Sequence, residues 1–406
     1  MKKSFTVLFP SMLDFHYPLL KHAFEAGGYT CEILFSSTDM LATLTELGRE
    51  YSHNDMCFPA NLIIGQFIHA LKSGRYDISR VALLLPQTGG GCRACNYIHL
   101  LRKALRKAGM GFVPVISLNV SGVERHRGFS ITPKMVFTAC AAVFYGDLLM
   151  KLYNEVSPYE ARSGESLRLV EKWYARIGGL FREGRGISPS EMPIVFGHIC
   201  ESFANVKRAE SRAVKVCLAG ELYIKYCAMG NFDTEKYLRQ AGCEVYMGGF
   251  MNYMCYLIDC ERNIASIYGR LSATGVGASV LLRYLDSLPT KMNIALEEHS
   301  FEAAPTYREL RAYGESFGIL GETMGDGWLI FAELCIAMKK GCDGALLLLP
   351  FGCLVSHSCA RGVIRRVRKL YPKAVIYPLD FDWSISDVNV KNRIQMALSF
   401  LENRKG

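Results

Sequence analysis

The segment VALLLPQTGGGCRACNY, residues 81–97, contains the pattern that decides the fold. Its first six residues form a continuous apolar run, which is typical of a strand buried on both faces of a parallel sheet. Three glycines follow and allow a tight turn, and from Tyr97 apolar residues recur at the spacing of a helix that ends near Ala108. A strand, a turn and a helix in this order are the repeating unit of doubly wound α/β proteins, which bind ligands beside such turns.

The same unit recurs in two parts of the chain, separated by a long helical stretch. Predicted strands of the first part are FTVLFP (5–10), CEILF (31–35), VALLLP (81–86) and FVPVISL (112–118). Predicted strands of the second part are VCLAGELYI (216–224), CEVYMGGF (243–250), ALLLLP (345–350) and AVIYPL (374–379). We therefore expect an α/β protein with two Rossmann-like parallel-sheet domains, residues 1–130 and 213–406, joined by a helical connecting segment at 131–212. The likeness of ALLLLPFGC to VALLLPQTGGGC hints at a repeated unit.

Composition and length exclude several classes of protein. The chain has 406 residues, of which 50% are hydrophobic and 21% charged, so it can form two or three cores and is not disordered. No apolar run is expected to reach the roughly 18–20 residues that a membrane span needs. The start, MKKSFTVLFPSMLDFHY, is interrupted by Pro10, Asp14 and His16, so it is predicted to be a first strand rather than a signal peptide. We therefore expect a cytoplasmic protein with no membrane partner.

The net charge of +9 comes partly from two amphipathic helices. Their basic residues are Arg102, Lys103, Arg106, Lys107, Arg365, Arg366, Arg368 and Lys369. These residues form either a solvated helix face or a docking surface for an acidic partner or an anionic substrate. No nucleic-acid motif accompanies the charge, and no GxxxxGKS or GxxxxGKT loop occurs. We therefore expect neither nucleic-acid binding nor a nucleotide site in this chain.

Cysteine is the most informative residue type in the sequence. There are 15 cysteines, and an odd number in a long chain of a reducing compartment argues against a disulfide scaffold. The cysteines whose context suits metal ligation are Cys57, Cys92, Cys95, Cys140, Cys353 and Cys359. The others are interpreted as small core residues, namely Cys31, Cys200, Cys217, Cys227, Cys243, Cys255, Cys260, Cys335 and Cys342.

The local sequence around these candidate ligands favours thiolate chemistry. Cys57 precedes Pro59 at a predicted helix start, where unpaired N–H groups and the helix dipole stabilise a thiolate. Cys92 and Cys95 follow a glycine-rich turn, and Cys353 follows a strand end. Because iron–sulfur clusters are bound by cysteine thiolates, we interpret the chain as an iron–sulfur protein.

Three glycines beside these cysteines are predicted to contact the cofactor, namely Gly90, Gly91 and Gly352. A residue without a Cβ lets the backbone approach a bulky ligand closely. Because the candidate cysteines come from both ends of the sequence, we expect the cluster to lie in the cleft between the two domains.

Other interpretations of the same cysteines are possible. The spacing of Cys92 and Cys95 also suits a thioredoxin-type redox pair, although the usual residues around such a pair are missing. Structural zinc normally needs a second CxxC, and attached c-type haem needs His where Asn96 stands. Cys140 lies inside an apolar helical run, where a core residue is as compatible with the pattern as a ligand.

Four motifs resemble the 2-hydroxyacyl-CoA dehydratase family, including its activase-associated and double-cubane-cluster branches. They are CFPANLIIGQFIHAL (57–71), LPQTGGGCRACNY (85–97), AGELYIK (219–225) and LLPFGCLVSHSCARGVIRRV (348–367). The resemblance implies Rossmann-like domains around an iron–sulfur cluster in the interdomain cleft. It also implies that low-potential electrons come from a separate ATP-hydrolysing activator with its own [4Fe–4S] cluster.

The resemblance also suggests which branch of the family is the better comparison. Cys57, Cys92 and Cys353 match cluster cysteines of the family, whereas relatives more often have Gly at the position of Cys95 and an apolar residue at that of Cys359. These additional thiols suggest the double-cubane branch, in which six cysteines bind two [4Fe–4S] units that share a bridging sulfide.

The resemblance therefore implies a reductase that reduces a small molecule at a double-cubane [8Fe–9S] cluster. The alternatives are a 2-hydroxyacyl-CoA dehydratase subunit with one [4Fe–4S] cluster, and an electron-transfer or assembly subunit with no substrate of its own. For all of these, the resemblance implies a homodimer or a heterodimer with a homologous subunit.

Overall fold

The structure, a computed structural model, describes residues 4–87, 91–118, 126, 128–210, 213–269, 273–384 and 386–402. Within these ranges it contains two four-stranded sheets, in which all neighbouring strands are parallel. The first sheet consists of β1 (Thr6–Pro10), β2 (Thr30–Leu34), β3 (Val81–Pro86) and β4 (Val115–Leu118). The second consists of β5 (Val214–Gly220), β6 (Cys243–Met247), β7 (Gly344–Pro350) and β8 (Val375–Phe381). The predicted α/β class with two parallel sheets is therefore confirmed.

The two sheets have the same topology, with strand orders β2-β1-β3-β4 and β6-β5-β7-β8. The strands β3 and β7 thus occupy the same place in their sheets, and both are continuous apolar runs that are almost wholly buried. Leu83 of β3 pairs with Leu8 of β1, and Leu346 of β7 pairs with Leu218 of β5. The likeness of VALLLP to ALLLLP thus corresponds to equivalent strands.

Helices connect the strands and form the middle of the chain. The first part contains α1 (Tyr17–Ala26), α2 (Leu41–Tyr51), α3 (Phe58–Lys72) and α4 (Tyr97–Lys107). The connecting segment contains α5 (Pro133–Val156), α6 (Glu165–Arg182) and α7 (Met192–Ala204). The second part contains α8 (Leu222–Tyr226), α9 (Thr234–Gln240), α10 (Phe250–Ile267), α11 (Ala273–Glu298), α12 (Tyr307–Ser316), α13 (Leu329–Lys339), α14 (Ile364–Leu370) and α15 (Asp387–Glu402). The division of the chain into domains remains a prediction.

One predicted strand is wrong in its second half, because the strand predicted at 216–224 ends at Gly220 and α8 follows. Gly220 has φ +133°, and a Cβ there would lie 2.2 Å from the carbonyl oxygen of Leu348 on β7. The side chain of Glu221 then accepts a hydrogen bond from the N–H group of Ile224 and caps the helix. The apolar residues of α8 suit a strand and a buried helix equally well, so their pattern did not reveal the change.

Two further boundaries also differ from the predicted ones. The strand predicted at 112–118 begins only at Val115, after Pro114, which has no N–H group to donate. The second of the two basic amphipathic helices begins only at Ile364, as α14, and a π-helical turn, Ser356–Ala360, precedes it together with a short 3₁₀ turn. Cys359 therefore lies in a widened turn of a kind that is rare and frequent at functional sites.

The helix α5 is longer and more apolar than the sequence analysis expected. By length and composition it could cross a membrane, with a mean hydropathy of 1.5 over 18 residues. However, 72% of that window is buried within the protein itself, where Phe144 and Leu148 belong to the hydrophobic core. Such burial is typical of the core helix of a soluble protein. The cytoplasmic location remains a prediction.

Asp147 on α5 connects the first and second parts of the chain. Its carboxylate accepts hydrogen bonds from the N–H groups of Phe250 (2.6 Å) and Met251 (2.9 Å) at the start of α10. Its Oδ1 also lies 2.8 Å from Nε2 of His16, directly before α1, and both side chains are buried. A carboxylate at a helix N-terminus is stabilised by the unpaired N–H groups there, so Asp147 links three segments at one point.

Candidate functional site

Doubly wound sheets bind ligands at the carboxyl ends of the two neighbouring strands where the chain direction across the sheet reverses. In this protein these are the ends of β1 and β3 in one sheet, and of β5 and β7 in the other. The residues that follow these strands are Ser11, Gln87, Glu221 and Phe351. The predicted ligands Cys92 and Cys353 lie in two of these four connections.

The start of α3 and the connection after β7 are in direct backbone contact. The N–H group of Phe58 donates a hydrogen bond to the carbonyl oxygen of Phe351 at 3.0 Å. Gly352 has φ +71°, and a Cβ at this position would lie 3.1 Å from the Cα of Cys57. This close approach places Cys57 and Cys353 beside each other although they are far apart in the sequence. It also gives Gly352 a packing role in addition to the predicted cofactor contact.

Cys57 is buried at the N-terminus of α3. Its Sγ lies 2.8 Å from the hydroxyl oxygen of Tyr97 on α4. Burial raises the pKa of the Cys57 thiol, although the hydrogen bonds from Tyr97 and from the N–H group of Ala60 act in the opposite direction. The helix N-terminus thus favours the thiolate as expected, but desolvation outweighs it in the metal-free protein.

Cys92 directly precedes a short 3₁₀ helix, Arg93–Asn96, and Cys95 lies within this helix. The Sγ of Cys92 accepts a hydrogen bond from the N–H group of Ala94 at 3.5 Å, and burial raises the pKa of this thiol to about 12. The carbonyl oxygen of Cys95 accepts a hydrogen bond from Gln87 at 2.8 Å, which fixes the turn to the end of β3. Of the predicted cofactor glycines here, Gly90 lies outside the described residues.

Gly91, the next residue, is exposed and lies beside the loop that precedes α13. A Cβ at Gly91 would lie 3.3 Å from the Cγ of Met324, so this loop approaches the cysteine turn. The approach places the residues after Met324, including Asp326, near the predicted ligands.

Cys353 accepts two hydrogen bonds from one serine. The hydroxyl of Ser356 donates to its Sγ at 3.1 Å, and the Ser356 N–H group donates at 3.4 Å. Burial nevertheless raises the pKa of the Cys353 thiol above its usual value. Cys359 lies in the π-helical turn, where its Sγ is 3.7 Å from the hydroxyl of Ser358, and burial also raises its pKa.

Two carboxyl groups have electrostatic contact with these thiols. Glu221, directly after β5, interacts with Cys57, Cys92 and Cys353. Asp326, in the loop before α13, interacts with Cys92, Cys353 and Cys359. Because the same acids reach several thiols, four of the predicted ligands lie around one region.

A buried ion pair lies behind the two acids. The ammonium group of Lys225 on α8 is 2.9 and 3.0 Å from the two carboxylate oxygens of Glu333 on α13. Burial is the largest single effect and would lower the pKa of Lys225, but the charges of Glu333, Tyr226 and Asp326 and the hydrogen bond to Glu333 together outweigh burial and raise it. Lys225 therefore remains charged beneath the site. Asp326, which is only 7% exposed, interacts with both members of the pair.

The described electrostatic contacts of Cys140 are with residues other than the predicted ligands. It lies on α5 and is partly buried, and burial raises its pKa. Its described electrostatic partners are Cys255 on α10 and Tyr284 on α11, and neither of them is a predicted ligand. Its position on a helix that lines the core agrees with the alternative interpretation, in which Cys140 is a core residue.

A site for a single metal ion needs several ligand side chains close to one point. Among the residues that the structure describes, no group of three or more His, Cys, Asp or Glu side chains is close enough to hold one metal ion. A cluster sets a different requirement, since each thiolate binds a different iron atom and the sulfur atoms stand further apart.

Comparison with known proteins does not assign the chain to a family. No family model matches it, and the search of curated proteins found no match. The resemblance to the 2-hydroxyacyl-CoA dehydratase family therefore rests on the motifs alone.

A cavity of about 520 Å³ shares a wall with the cysteine region. Phe58, the residue after Cys57, lines it, as does Trp383, whose ring centroid is 4.6 Å from that of Phe351. Its charged lining residues within the described ranges are Asp39, Asp233, Asp382, Asp387, Lys236 and Lys391. Carboxylates thus outnumber ammonium groups, so the cavity favours neutral or cationic ligands over anionic ones.

The sequence analysis missed the most unusual polar residues of the site. Glu221 and Lys225 belong to the motif AGELYIK, but no role was predicted for them, and Glu333 was not considered. Asp326 was not among the predicted site residues either. A polar residue directly after a buried strand was the available signal for Glu221. No local signal reveals Glu333, since it lies in the middle of an apolar helix.

Proposed function

We propose that this chain is an iron–sulfur protein of the 2-hydroxyacyl-CoA dehydratase type. It would receive low-potential electrons from an ATP-hydrolysing activator and use them to reduce a small molecule. The observation that supports this most is the convergence of Cys57, Cys92 and Cys353 on one acid, Glu221. These thiols come from three separate elements and both parts of the chain, as the proposed interdomain cluster requires.

The donor set fits such a cofactor. Cys57, Cys92 and Cys353 would hold it, with Cys95 and Cys359 beside them as the additional thiols of a double-cubane cluster. When bound, the cluster would supply electrons one at a time at low potential. Because burial keeps the free thiols protonated, binding would release their protons and would be stronger at higher pH.

Two residues of the chain would adjust the properties of bound thiolates. Ser356 donates its hydroxyl to the Sγ of Cys353, and Tyr97 is placed to donate to the Sγ of Cys57. Hydrogen bonds to ligand sulfurs stabilise negative charge on them and raise the reduction potential. The chain would therefore set the potential from both of its parts.

The neighbouring cavity favours the reductase over an acyl-CoA enzyme. Coenzyme A carries several phosphate charges, and the lining residues Asp39, Asp233, Asp382 and Asp387 would repel them. The basic residues of α14 are not among those that line this cavity. A small neutral substrate meets no such barrier.

A second candidate is the dehydratase subunit with one [4Fe–4S] cluster. The position of Cys140 favours it, because the described electrostatic partners of Cys140 are Cys255 and Tyr284 rather than the other predicted ligands. Without Cys140 only five of the predicted thiols would remain, and the ligand count of a double cubane would be incomplete within one chain. The iron content separates the two candidates directly.

The decisive experiment is anaerobic purification followed by iron and acid-labile sulfide analysis. About eight irons per chain support the double-cubane reductase, and about four support the dehydratase-type cluster. A protein with no iron and stoichiometric zinc contradicts both.

Serine substitutions then identify the ligands. We expect Cys57→Ser, Cys92→Ser and Cys353→Ser each to lose most of the iron. Cys140→Ser should lose iron if six cysteines hold a double-cubane cluster and should keep it if the chain binds one [4Fe–4S] cluster. If Cys95→Ser and Cys359→Ser keep the full iron content, these residues are not ligands and the six-cysteine interpretation is wrong. Cys342→Ser, which changes a buried thiol outside the predicted ligand set, is the matched control.

A further inference from the structure

The cavity of about 520 Å³ lies where the two parts of the chain meet. One wall comes from the first part and consists of the 3₁₀ turn Thr38–Met40 after β2, the start of α2, and Phe58. The other wall comes from the second part and consists of α9, the residues after β8, and the start of α15. The connections at the carboxyl ends of β2 and β8 thus both line the cavity. Doubly wound sheets place their ligands at this edge, and the volume suits a small organic molecule.

The lining combines aromatic rings with an excess of carboxylates. The rings that line the cavity are Phe58, Phe232, Tyr237 and Trp383. Lys391 forms a salt bridge with Asp387 at 2.5 Å, so this pair adds little net charge. The other charged residues of the described lining are three acids and one base, namely Asp39, Asp233, Asp382 and Lys236. A cation with an apolar body therefore gains from the carboxylates and from the rings.

The turn that carries Asp233 into the cavity wall has an unusual backbone. Phe232 and Asp233 have φ values of +56° and +55°, and in the described part of the chain only one other non-glycine residue has a positive φ. A bulky residue such as Phe is strained in this conformation. The side chain of Asn231 holds the turn, because its amide donates to the carbonyl oxygen of Ile224 at 2.8 Å and its oxygen accepts from the N–H group of Thr234 at 3.0 Å. Strained residues that are held by their surroundings cluster at ligand sites.

Two of the acids are fixed in position by hydrogen bonds that use one oxygen each. The Oδ2 of Asp233 accepts from the hydroxyl of Thr38 on the opposite wall at 3.1 Å. The Oδ1 of Asp382 accepts from the N–H group of Ser384 at 2.7 Å and from its hydroxyl at 2.6 Å. Each carboxylate keeps a second oxygen that forms no hydrogen bond to a described residue. Such oxygens accept hydrogen bonds, so a cation with N–H groups suits the site better than a quaternary ammonium.

We propose that this cavity is a binding site for a primary ammonium compound with an apolar body. The ammonium group would bind to Asp233 and Asp382, and the apolar body would pack against the aromatic rings. The inference goes beyond the proposed function, because none of the predicted cofactor ligands is among the described lining residues and binding needs no iron. Because the two walls come from different parts of the chain, a bound ligand would hold them together.

The first test compares probes that share one apolar body and differ in charge. At pH 7 phenethylammonium is cationic, phenethyl alcohol is neutral and hydrocinnamate is anionic. Isothermal titration of the anaerobically purified protein should show saturable binding of phenethylammonium, about 10-fold weaker binding of phenethyl alcohol, and no binding of hydrocinnamate. Equal affinity for the ammonium and the alcohol, or no saturable binding of the ammonium, would overturn the inference.

The second test uses variants that should change the affinity in opposite directions. Asp233→Asn removes a carboxylate charge at a position whose left-handed backbone Asn tolerates, and should bind phenethylammonium about 10-fold more weakly. Lys236→Met removes a positive charge from the lining and should bind it about 3-fold more tightly, a gain that damage to the fold does not produce. Asp77→Asn changes an exposed acid outside the described lining and is the matched control. Unchanged affinity in both lining variants would contradict the site.

Tryptophan fluorescence locates the bound probe. Of the three tryptophans, Trp173 and Trp328 are buried, whereas Trp383 is half-buried and lines the cavity. Phenethylammonium should therefore change the emission of the wild-type protein and leave that of Trp383→Phe unchanged. Binding without a change in the emission of Trp383 would place the probe elsewhere and overturn the inference. Since none of these measurements depends on iron, a protein without iron would contradict the proposed function and leave the test of the cavity intact.

Discussion

The two sheets have the same strand order, but the equivalent connections after β1 and β5 have different roles. After β1, Asp14 accepts hydrogen bonds from Ser11 and from the N–H group of Ala228, so this connection binds the second part of the chain. After β5, the equivalent connection places Glu221 beside the cysteines. Equivalent connections thus join the two parts of the chain in one sheet and place a carboxyl group beside the cysteines in the other. The strand order fixes where a side chain is placed, and the residue at that place determines its role.

The two parts also differ in the chemistry that they bring to the site. The first part contributes thiols from α3 and the turn after β3, whereas the second contributes acids and one buried cation in addition to Cys353 and Cys359. We therefore expect substitutions of the acids in the second part and substitutions beside the thiols in the first part to have separate effects. The following variants test that separation, from the largest expected effect to the smallest.

The largest effect is expected when the buried cation is removed. Lys225→Met leaves Glu333 charged and unpaired, so the free energy of unfolding should fall by about 3–5 kcal/mol. Chemical denaturation measures this change. The double variant Lys225→Met/Glu333→Leu should lose less stability than the single one. Lys391→Met, which breaks an exposed pair with Asp387, is the control and should remain close to wild type. A fully stable Lys225→Met protein would show that the pair is not buried as described.

The next effect concerns the contact between the two parts. Gly352→Ala should cost about 1–2 kcal/mol because of its left-handed backbone and about 1–3 kcal/mol more because its Cβ meets Cys57. Gly318→Ala has a similar backbone, with φ +66°, and no atom within 4 Å of the added Cβ. It should therefore show the first cost only. Equal losses of unfolding free energy in the two variants would mean that a Cβ at position 352 does not clash with Cys57 at the start of α3.

The third effect is a dependence of stability on pH. Asp14, Glu221 and Asp326 have pKa values raised mainly by burial, to about 6, about 7 and about 8. In the unfolded chain these acids lose their protons near pH 4, before the folded protein does. The free energy of unfolding of the iron-free protein should therefore fall as pH rises from about 4 to about 8, by at most about 1.4 kcal/mol per pH unit for each acid.

Asp326→Asn removes one of these contributions. Denaturation of the iron-free protein measures the free energy of unfolding of the variant and of wild type at pH 5 and pH 8. The variant should lose less of this free energy than wild type does between the two pH values. Asp14→Asn should act only in the lower part of the range, because its pKa is raised to about 6. A stability profile that is identical in Asp326→Asn and wild type would mean that Asp326 is ionised at pH 7.

The smallest effect on stability is expected at the hydroxyl group that contacts the thiol of Cys57. Tyr97→Phe removes the hydroxyl that lies 2.8 Å from the Sγ of Cys57, and should cost about 0.5–1.5 kcal/mol. In the iron-loaded protein it should also make the reduction potential more negative, as measured by redox titration. Tyr145→Phe removes a buried hydroxyl that donates to Gly186, and should cost stability without a change of potential. Equal potentials in the two variants would place Tyr97 outside the influence of the cluster.

Much of the fold was predictable because its strands are continuous apolar runs. Such runs have few alternatives to a buried parallel strand, and the ends of β3 and β7 fixed the positions of Cys92 and Cys353. The failures arose where local composition is ambiguous or where partners are distant in the chain. The apolar residues of α8 suit either structure, and only the contact of Gly220 with β7 decides between them. Asp326 and Glu221 meet through tertiary packing, which no spacing in the sequence records.

The contact between Gly352 and Cys57 also restricts when a cofactor can be inserted. The two thiols are far apart in the sequence, so a growing chain presents both of them only after β7 has been synthesised. A cluster bound by both residues must therefore be loaded after that point, once the two parts of the chain have met. A chain that stops before β7 would contain Cys57, Cys92 and Cys95 and would still be unable to close the site.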